Sequence, residues 1–201
     1  MSVQERSLGM ATDLKEYIRC YDALVPMDLC HQIINEFELE RRKEVVDKKF
    51  RPKWTEFNVS KHFSEPTWQM IQTQVQKYFV DAVGLYIKDL DVGADFPSSY
   101  CFEEYRIKKY EKGSDDQFQD HVDVQDYQSA RRFVSVMLYL NNAPVGGRTH
   151  FPRIDYEIEA KECRIAIFPA NWMFRHAGRP TLESNKYIMG SYLHYLWVSK
   201  N

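Results

Sequence analysis

The 201-residue chain is poor in cysteine: it has four, Cys20, Cys30, Cys101 and Cys163, and no two are spaced as C-x-x-C. That scatter argues against a disulfide framework and against a cysteine-based zinc site, and leaves free structural thiols as the expectation. Long apolar runs are missing too, with nothing near the ~20 residues of a membrane-spanning helix. The opening residues, Met1-Ser2-Val3-Gln4-Glu5-Arg6, lack a basic stretch followed by an apolar core. No secretory signal is therefore expected, and a reducing cytoplasm is the expected location. Neither sign of charge is in excess: 27 Lys and Arg face 29 Asp and Glu, for a formal net charge of -2. A nucleic-acid partner would call for a basic face, and no such footprint stands out. Internal repeats and low-complexity tracts are also absent, so a single domain with one sizeable core is expected.

Aromatic residues are abundant, at 14% with 13 Tyr and 12 Phe, which suits a β-rich fold around an aromatic-lined cavity. Two stretches of the first half carry helical periodicity. Pro26 suits a first helical turn, and Leu29, Ile33, Ile34, Phe37 and Leu39 mark one apolar side. Ser64-Glu65-Pro66 is a second helix start, followed by Trp68, Ile71, Val75, Tyr78, Phe79 and Ala82 at helical spacing. Between them, the charged run from Glu38 to Lys49 reads as a solvated face or loop. From about Tyr100 the texture changes to short strands: Tyr105–Tyr110, Phe118–Val124, Phe133–Leu140, Arg164–Phe168 and Tyr187–Val198, separated by turn signals such as Val145-Gly146-Gly147. Many strands without intervening helices predict an antiparallel sandwich or jelly roll. The expected class is mainly β with flanking helices, residues 1–99 forming a helical support and residues 100–201 the core.

The chemistry centres on His121-Val122-Asp123. Residues two apart on a strand project to one face, so imidazole and carboxylate would stand side by side. A lone His-x-Asp is weak evidence, because a strand histidine is more often structural. His176, just after the strand Ile165-Ala166-Ile167-Phe168, would complete a two-histidine, one-carboxylate face that leaves coordination positions open, as in non-haem Fe(II) oxygenases. His31, His62, His150 and His194 lack such partners and read as structural or surface residues.

These residues fall within a larger pattern: Tyr110-Glu111-Lys112-Gly113, His121-Val122-Asp123, Tyr139-Leu140-Asn141, GGRTHFP at 146–152 and HAGRPTLESNKYI at 176–188. Together they resemble the prolyl 4-hydroxylase-like family of Fe(II)/2-oxoglutarate dioxygenases, over about residues 100–197, and in compactness the small bacterial and viral members. The resemblance implies a double-stranded β-helix core of the jelly-roll or cupin type, with the N-terminal helices packed outside. It implies Fe(II) on His121, Asp123 and His176, with 2-oxoglutarate and O₂ as cosubstrates and ascorbate as a candidate reductant. Lys186 would hold the distal carboxylate of 2-oxoglutarate, and Tyr110 and Thr149 would donate hydroxyl hydrogen bonds to it. Tyr192 falls where the family carries a pocket aromatic, and Trp172 is a candidate for the pocket mouth; core or rim packing is the competing reading for both. Phe118 replaces the tyrosine common three residues before the first metal histidine. The intact Asp123, where halogenating relatives have a small residue, implies hydroxylation. The implied substrate is a proline-containing peptide or protein. Alternatives are the same chemistry on a nucleobase or small molecule, and a non-catalytic jelly-roll binding protein. The segments Glu111–Asp120 and Lys43–Asn58 are candidate lids.

Overall fold

Alternation along the strands sorts side chains onto two faces, and this sorting builds the molecule. In the computed structural model, which describes residues 13–49 and 52–196, twelve strands and two α-helices are numbered in chain order. The large sheet runs β1 (Arg19–Tyr21), β10 (Arg164–Pro169), β7 (Arg132–Tyr139), β12 (Lys186–Tyr195), β5 (Arg106–Tyr110), β3 (Lys53–Asn58), β2 (Glu44–Asp47), and β4 (Tyr100–Phe102) also pairs with β12. The small sheet runs β6 (Phe118–His121), β11 (His176–Gly178), β8 (Thr149–Phe151), β9 (Tyr156–Ile158). Every ladder between these strands is antiparallel. The two sheets form a jelly roll, in keeping with the expected class.

On one side of the large sheet, Ile107, Ile165, Ile167 and Met189 pack against the helices. Helix α1 (Met27–Leu39) contributes Leu29, Cys30, Ile33 and Phe37, and α2 (Pro66–Leu90) contributes Trp68, Ile71, Val75 and Phe79 among others. Each large apolar side chain buried this way stabilises the fold by about 1.5–3 kcal/mol. Pro66 sits in the first turn of α2, where its missing N–H costs nothing. The helix stops at Asp91, whose left-handed backbone turns the chain away. Alternate residues of the same strands, Tyr110, Ala166, Phe168 and Ile188, face the space between the sheets.

Three features depart from the sequence reading. The charged run, expected as a solvated face or loop, contains β2, an edge strand with mostly exposed side chains that pairs with β3. The N-terminal half therefore supplies strands β1, β2 and β3 to the large sheet as well as helices. Strand β6 ends at His121 rather than at Val124. The described part of β12 ends at Tyr195, and Trp197 and Val198, expected in that strand, lie outside the described residues, as does the Met1–Arg6 stretch. All four cysteines are free thiols. No described helix is long and apolar enough to cross a membrane.

Candidate active site

Strand register brings the three candidate ligands together. His121 is the last residue of β6 and His176 the first of β11, and the two are direct cross-strand partners. Asp123 lies past the end of β6, in a turn rather than on the strand. The Ser129 hydroxyl accepts from the N–H groups of Gln125 and Asp126, and the Asp126 carboxylate accepts from Ser129 N–H. Such local side-chain bonds compete with a β-ladder and stop the strand. The bend swings the Asp123 carboxylate between the imidazoles, with Oδ1 3.7 Å from His121 Nε2 and 3.9 Å from His176 Nε2. One donor atom from each of the three buried residues lies within 4.8 Å of the others.

Their protonation is set by the backbone. His121 Nδ1 lies 2.8 Å from the Gln119 carbonyl and His176 Nδ1 3.0 Å from the Phe174 carbonyl. A carbonyl only accepts, so each Nδ1 carries the proton and each Nε2 presents its lone pair to the shared space. Burial holds His176 below its ordinary value, more than the Asp123 charge raises it, which keeps the ring neutral. For Asp123 burial pushes the other way, but in the acid range where the carboxyl titrates, the charge of His176 and the hydrogen bonds of His121 and the Tyr192 hydroxyl outweigh it and hold the carboxyl at about 2. Asp123 Oδ2 is buried with no hydrogen-bond partner among the described residues. An ionised carboxylate with an orphaned oxygen, beside two imidazole lone pairs, is a donor set that fits a borderline-to-hard divalent ion such as Fe(II).

The same cleft, about 680 Å³ in volume, has a cationic floor. Lys186 opens β12 directly opposite Tyr110, which closes β5. Its side chain is 1% exposed, and its ammonium donates to the Gly147 carbonyl at 3.0 Å and lies 4.1 Å from the Tyr110 ring centroid. No carboxylate among the described residues pairs with it, and burial, with the charge of Lys108, lowers its pKa to about 7. Gly178 leaves this end open: a Cβ there would stand 3.6 Å from the Tyr110 hydroxyl and 3.7 Å from Lys186 Nζ, filling the cradle between them. Thr149, the register partner of Gly178, also lines the cleft, its Oγ1 2.7 Å from the Tyr139 hydroxyl. An unpaired buried ammonium with two hydroxyls nearby fits one end of a dicarboxylate.

Tyr192 lines the cleft and donates its hydroxyl to Asp123 Oδ1 at 2.8 Å. The Arg132 guanidinium lies 4.2 Å from the Tyr192 ring centroid and is itself bound to Glu103 at 2.8 Å. Trp172 is not brought to the cleft; its side chain is 66% exposed in the short turn Trp172–Phe174. His31, His62, His150 and His194 contact Glu162, Glu65, Arg179 and Cys101 respectively, away from the three ligands. The candidate lid segments are tied together, Lys53 bonding Asp115 and exchanging backbone bonds with Gln117. Sequence reasoning missed Arg106, Lys108, Trp54 and Glu56, all on the cleft wall. The alternation of β5 held a signal: with Ile107 in the helix-side core, Arg106 and Lys108 share the inward face of Tyr110.

Residues 105–194 match the family model of the 2OG-Fe(II) oxygenase superfamily. No curated protein matches the chain by sequence. Among solved structures, the chain is similar to a viral collagen prolyl hydroxylase from Paramecium bursaria Chlorella virus-1 in complex with 2OG. The TM-score is 0.66 at 20% identity, covering 90% of this chain and 97% of that one. A Pseudomonas putida prolyl-4-hydroxylase gives 0.64 at 16% identity, with 90% and 94% covered. A Trichoplax adhaerens prolyl hydroxylase bound to a hypoxia inducible factor peptide fragment gives 0.66 at 14% identity, with 89% and 84% covered.

Proposed function

We propose that this chain, which through residues 105–194 belongs to the 2OG-Fe(II) oxygenase superfamily, hydroxylates an unactivated C–H bond of a peptide, with a prolyl residue as the favoured target. The observation that carries this reading is the convergence on one cleft of the His121, Asp123 and His176 donors and the unpaired Lys186 ammonium. The three solved structures compared above are prolyl hydroxylases, one of them holding a peptide, which supports a peptide substrate.

In this reading His121, Asp123 and His176 hold Fe(II), and Lys186 holds the distal carboxylate of 2-oxoglutarate, assisted by Tyr110 and Thr149. The bound metal and cosubstrate supply the oxidation: one oxygen atom of O₂ enters the C–H bond, the other enters succinate, and CO₂ leaves. The protein's part is positional. Gln119 and Phe174 carbonyls fix both imidazole tautomers, and the Tyr192 hydroxyl fixes the Asp123 carboxylate. Phe118, stacked on His121, and Phe151 and Phe168, packed around His176, shield the ligands from water. The Lys186 ammonium, costly to bury alone, gains its counterion only when a carboxylate arrives. A cytoplasmic location and ascorbate as the reductant that keeps the iron ferrous complete the reading.

Adding Fe(II) and 2-oxoglutarate without O₂ is expected to produce the weak visible band of a bidentate metal–keto acid complex. Admitting O₂ with proline-containing peptides is expected to yield succinate and a peptide heavier by one oxygen atom. A missing band would refute the metal and cosubstrate assignment; oxidation of single-stranded DNA or a small acid in place of peptide would refute the substrate class.

A further inference from the structure

Lys108 is a second cation of the cleft that the metal and the cosubstrate leave without a counterion. It lies between Arg106 and Tyr110 on the inward face of β5 and is half-buried. Its ammonium stands 4.3 Å from the Trp54 ring centroid and 5.5 Å from that of Phe118. Phe118 in turn stacks on the metal-site residue His121, the two rings 3.3 Å apart. The ammonium is thus one ring away from the reacting centre, on the cleft wall.

The arginines of that wall are satisfied inside the protein. Arg106 binds Glu56 at 2.7 Å and Glu104 at 2.5 Å, and Arg132 binds Glu103 at 2.8 Å. Glu56, the carboxylate across the ladder from Lys108, already accepts from Arg106 and from the Trp54 indole. Among the described residues the Lys108 ammonium makes no ion pair or hydrogen bond, and its ring neighbours are Trp54 and Phe118. Asp123 is the other acid it feels, and that carboxylate is held by Tyr192 and faces the histidines.

Charge balance then singles Lys108 out. A divalent metal and the Lys186 ammonium are neutralised by Asp123 and the two carboxylates of 2-oxoglutarate. Nothing in that set remains for Lys108, and an unpaired ammonium in a half-buried, ring-walled site is costly. Cation–π contact with Trp54 offsets part of that cost but supplies no hydrogen-bond acceptor for the three N–H groups.

We propose that Lys108 is a substrate-specificity residue that binds the carboxylate of an acidic side chain flanking the residue to be oxidised. This deepens the proposed function and rests on its peptide reading: the target is a proline with an aspartate or glutamate beside it, rather than a neutral proline-rich segment.

The test uses matched fluorescent peptides, one proline flanked by Glu, by Gln or by Lys, binding the Fe(II)- and 2-oxoglutarate-loaded protein without O₂. A charge-assisted contact predicts that the Glu peptide binds about 10-fold or more tighter than the Gln peptide, the gap narrowing with salt. Lys108→Met, which keeps the packing between the rings, is expected to erase the preference, Lys108→Arg to retain it, and Lys108→Glu to shift it to the Lys peptide. Equal affinities in the wild type, no measurable binding of any of the three, or a preference that survives in Lys108→Met would overturn the proposal. So would a Lys108→Met variant whose only change is a raised 2-oxoglutarate requirement, since the ammonium would then serve the cosubstrate. Mass spectrometry after admitting O₂ separates the two layers. A Lys108-dependent preference for the Glu peptide without oxygen gain would sink prolyl hydroxylation and leave the acid subsite standing. Equal oxygen gain by the Glu and Gln peptides would do the reverse.

Discussion

The two faces of β5 bury positive charge on opposite terms. On the helix side, Lys109 stands 3.0 Å from Glu111 and 3.2 Å from Glu38, and Glu38 also accepts from the Tyr187 hydroxyl. Burial works against the Lys109 ammonium, yet those carboxylates outweigh it and its proton is held more tightly than usual. On the cleft side, Lys108 and the neighbouring Lys186 have no such partners among the described residues, and burial moves both pKa values down. One strand pair therefore carries one lysine balanced by carboxylates and two that the described residues leave unbalanced. The difference teaches how to separate structural charge from functional charge: the test is whether the protein itself supplies the counterion.

The comparison breaks most severely at the proposed metal ligands. His121→Ala or Asp123→Ala is expected to lower succinate formation by more than about 100-fold, since even supporting groups around a metal commonly cost 10–100-fold. Circular dichroism should show an intact fold, and wild-type turnover in either variant would refute the site.

On the helix side the expected loss is of stability instead. Phe79→Ala, at a fully buried position of α2, should cost about 3–5 kcal/mol in denaturant unfolding. A negligible change would mean that the helix layer contributes little to the core.

Exchanging the two kinds of lysine sharpens the contrast. Lys186→Met is expected to raise the 2-oxoglutarate requirement about 10–100-fold without destabilising the ligand-free protein. Lys109→Met should leave that requirement alone and cost at most about 1 kcal/mol of stability. Steady-state titration with 2-oxoglutarate, paired with denaturant curves, reads both effects, and the reverse pattern would invalidate the distinction.

A pH dependence follows with a definite sign. The folded pKa of Lys186, about 7, lies below its ordinary 10.5, so within that window the unfolded chain binds the extra proton. Its contribution therefore makes the ligand-free protein more stable as pH rises from about 7 toward 10.5, and Lys186→Met should remove that rise. Over the same window 2-oxoglutarate must be met by a proton taken up on Lys186, so its affinity is expected to weaken by about 10-fold per pH unit. Calorimetry in two buffers of different ionisation enthalpy would detect the uptake; a pH-independent affinity would contradict it.

Among the site variants, the smallest effect is expected at Tyr192. Replacing it by Phe removes only the hydroxyl on Asp123 Oδ1 and should weaken metal binding by about 10-fold. An unchanged affinity would show that the turn around Ser129 alone holds the carboxylate.

Much of this was legible in the chain. The apolar stripe from Trp68 to Ala82 specified α2 because a 3.6-residue period has one buried face, and FVSVMLYL marked β7 through its β-branched and aromatic residues. His121, Asp123, His176 and Lys186 were readable from short-range spacing and from the family resemblance. The length of β6 was not, because the Asp126–Ser129 turn that ends it is a set of side-chain bonds rather than a hydropathy pattern. Strand β2 was hidden in a charged run, since an edge strand facing solvent needs no apolar alternation. The exposed position of Trp172 was equally invisible, because nearness in sequence to His176 does not set the direction of a side chain.

By itself, then, the sequence determined which residue types could do chemistry and which periodicities would fold around them, since spacing and alternation are properties of neighbours along the chain. Only the tertiary structure decided which charges are answered. Arg106 and Lys108 are neighbours on one face of one strand, yet Glu56 and Glu104 neutralise the first and no described residue neutralises the second. Counterions come from other strands, and the price of burying a charge depends on what the fold places beside it.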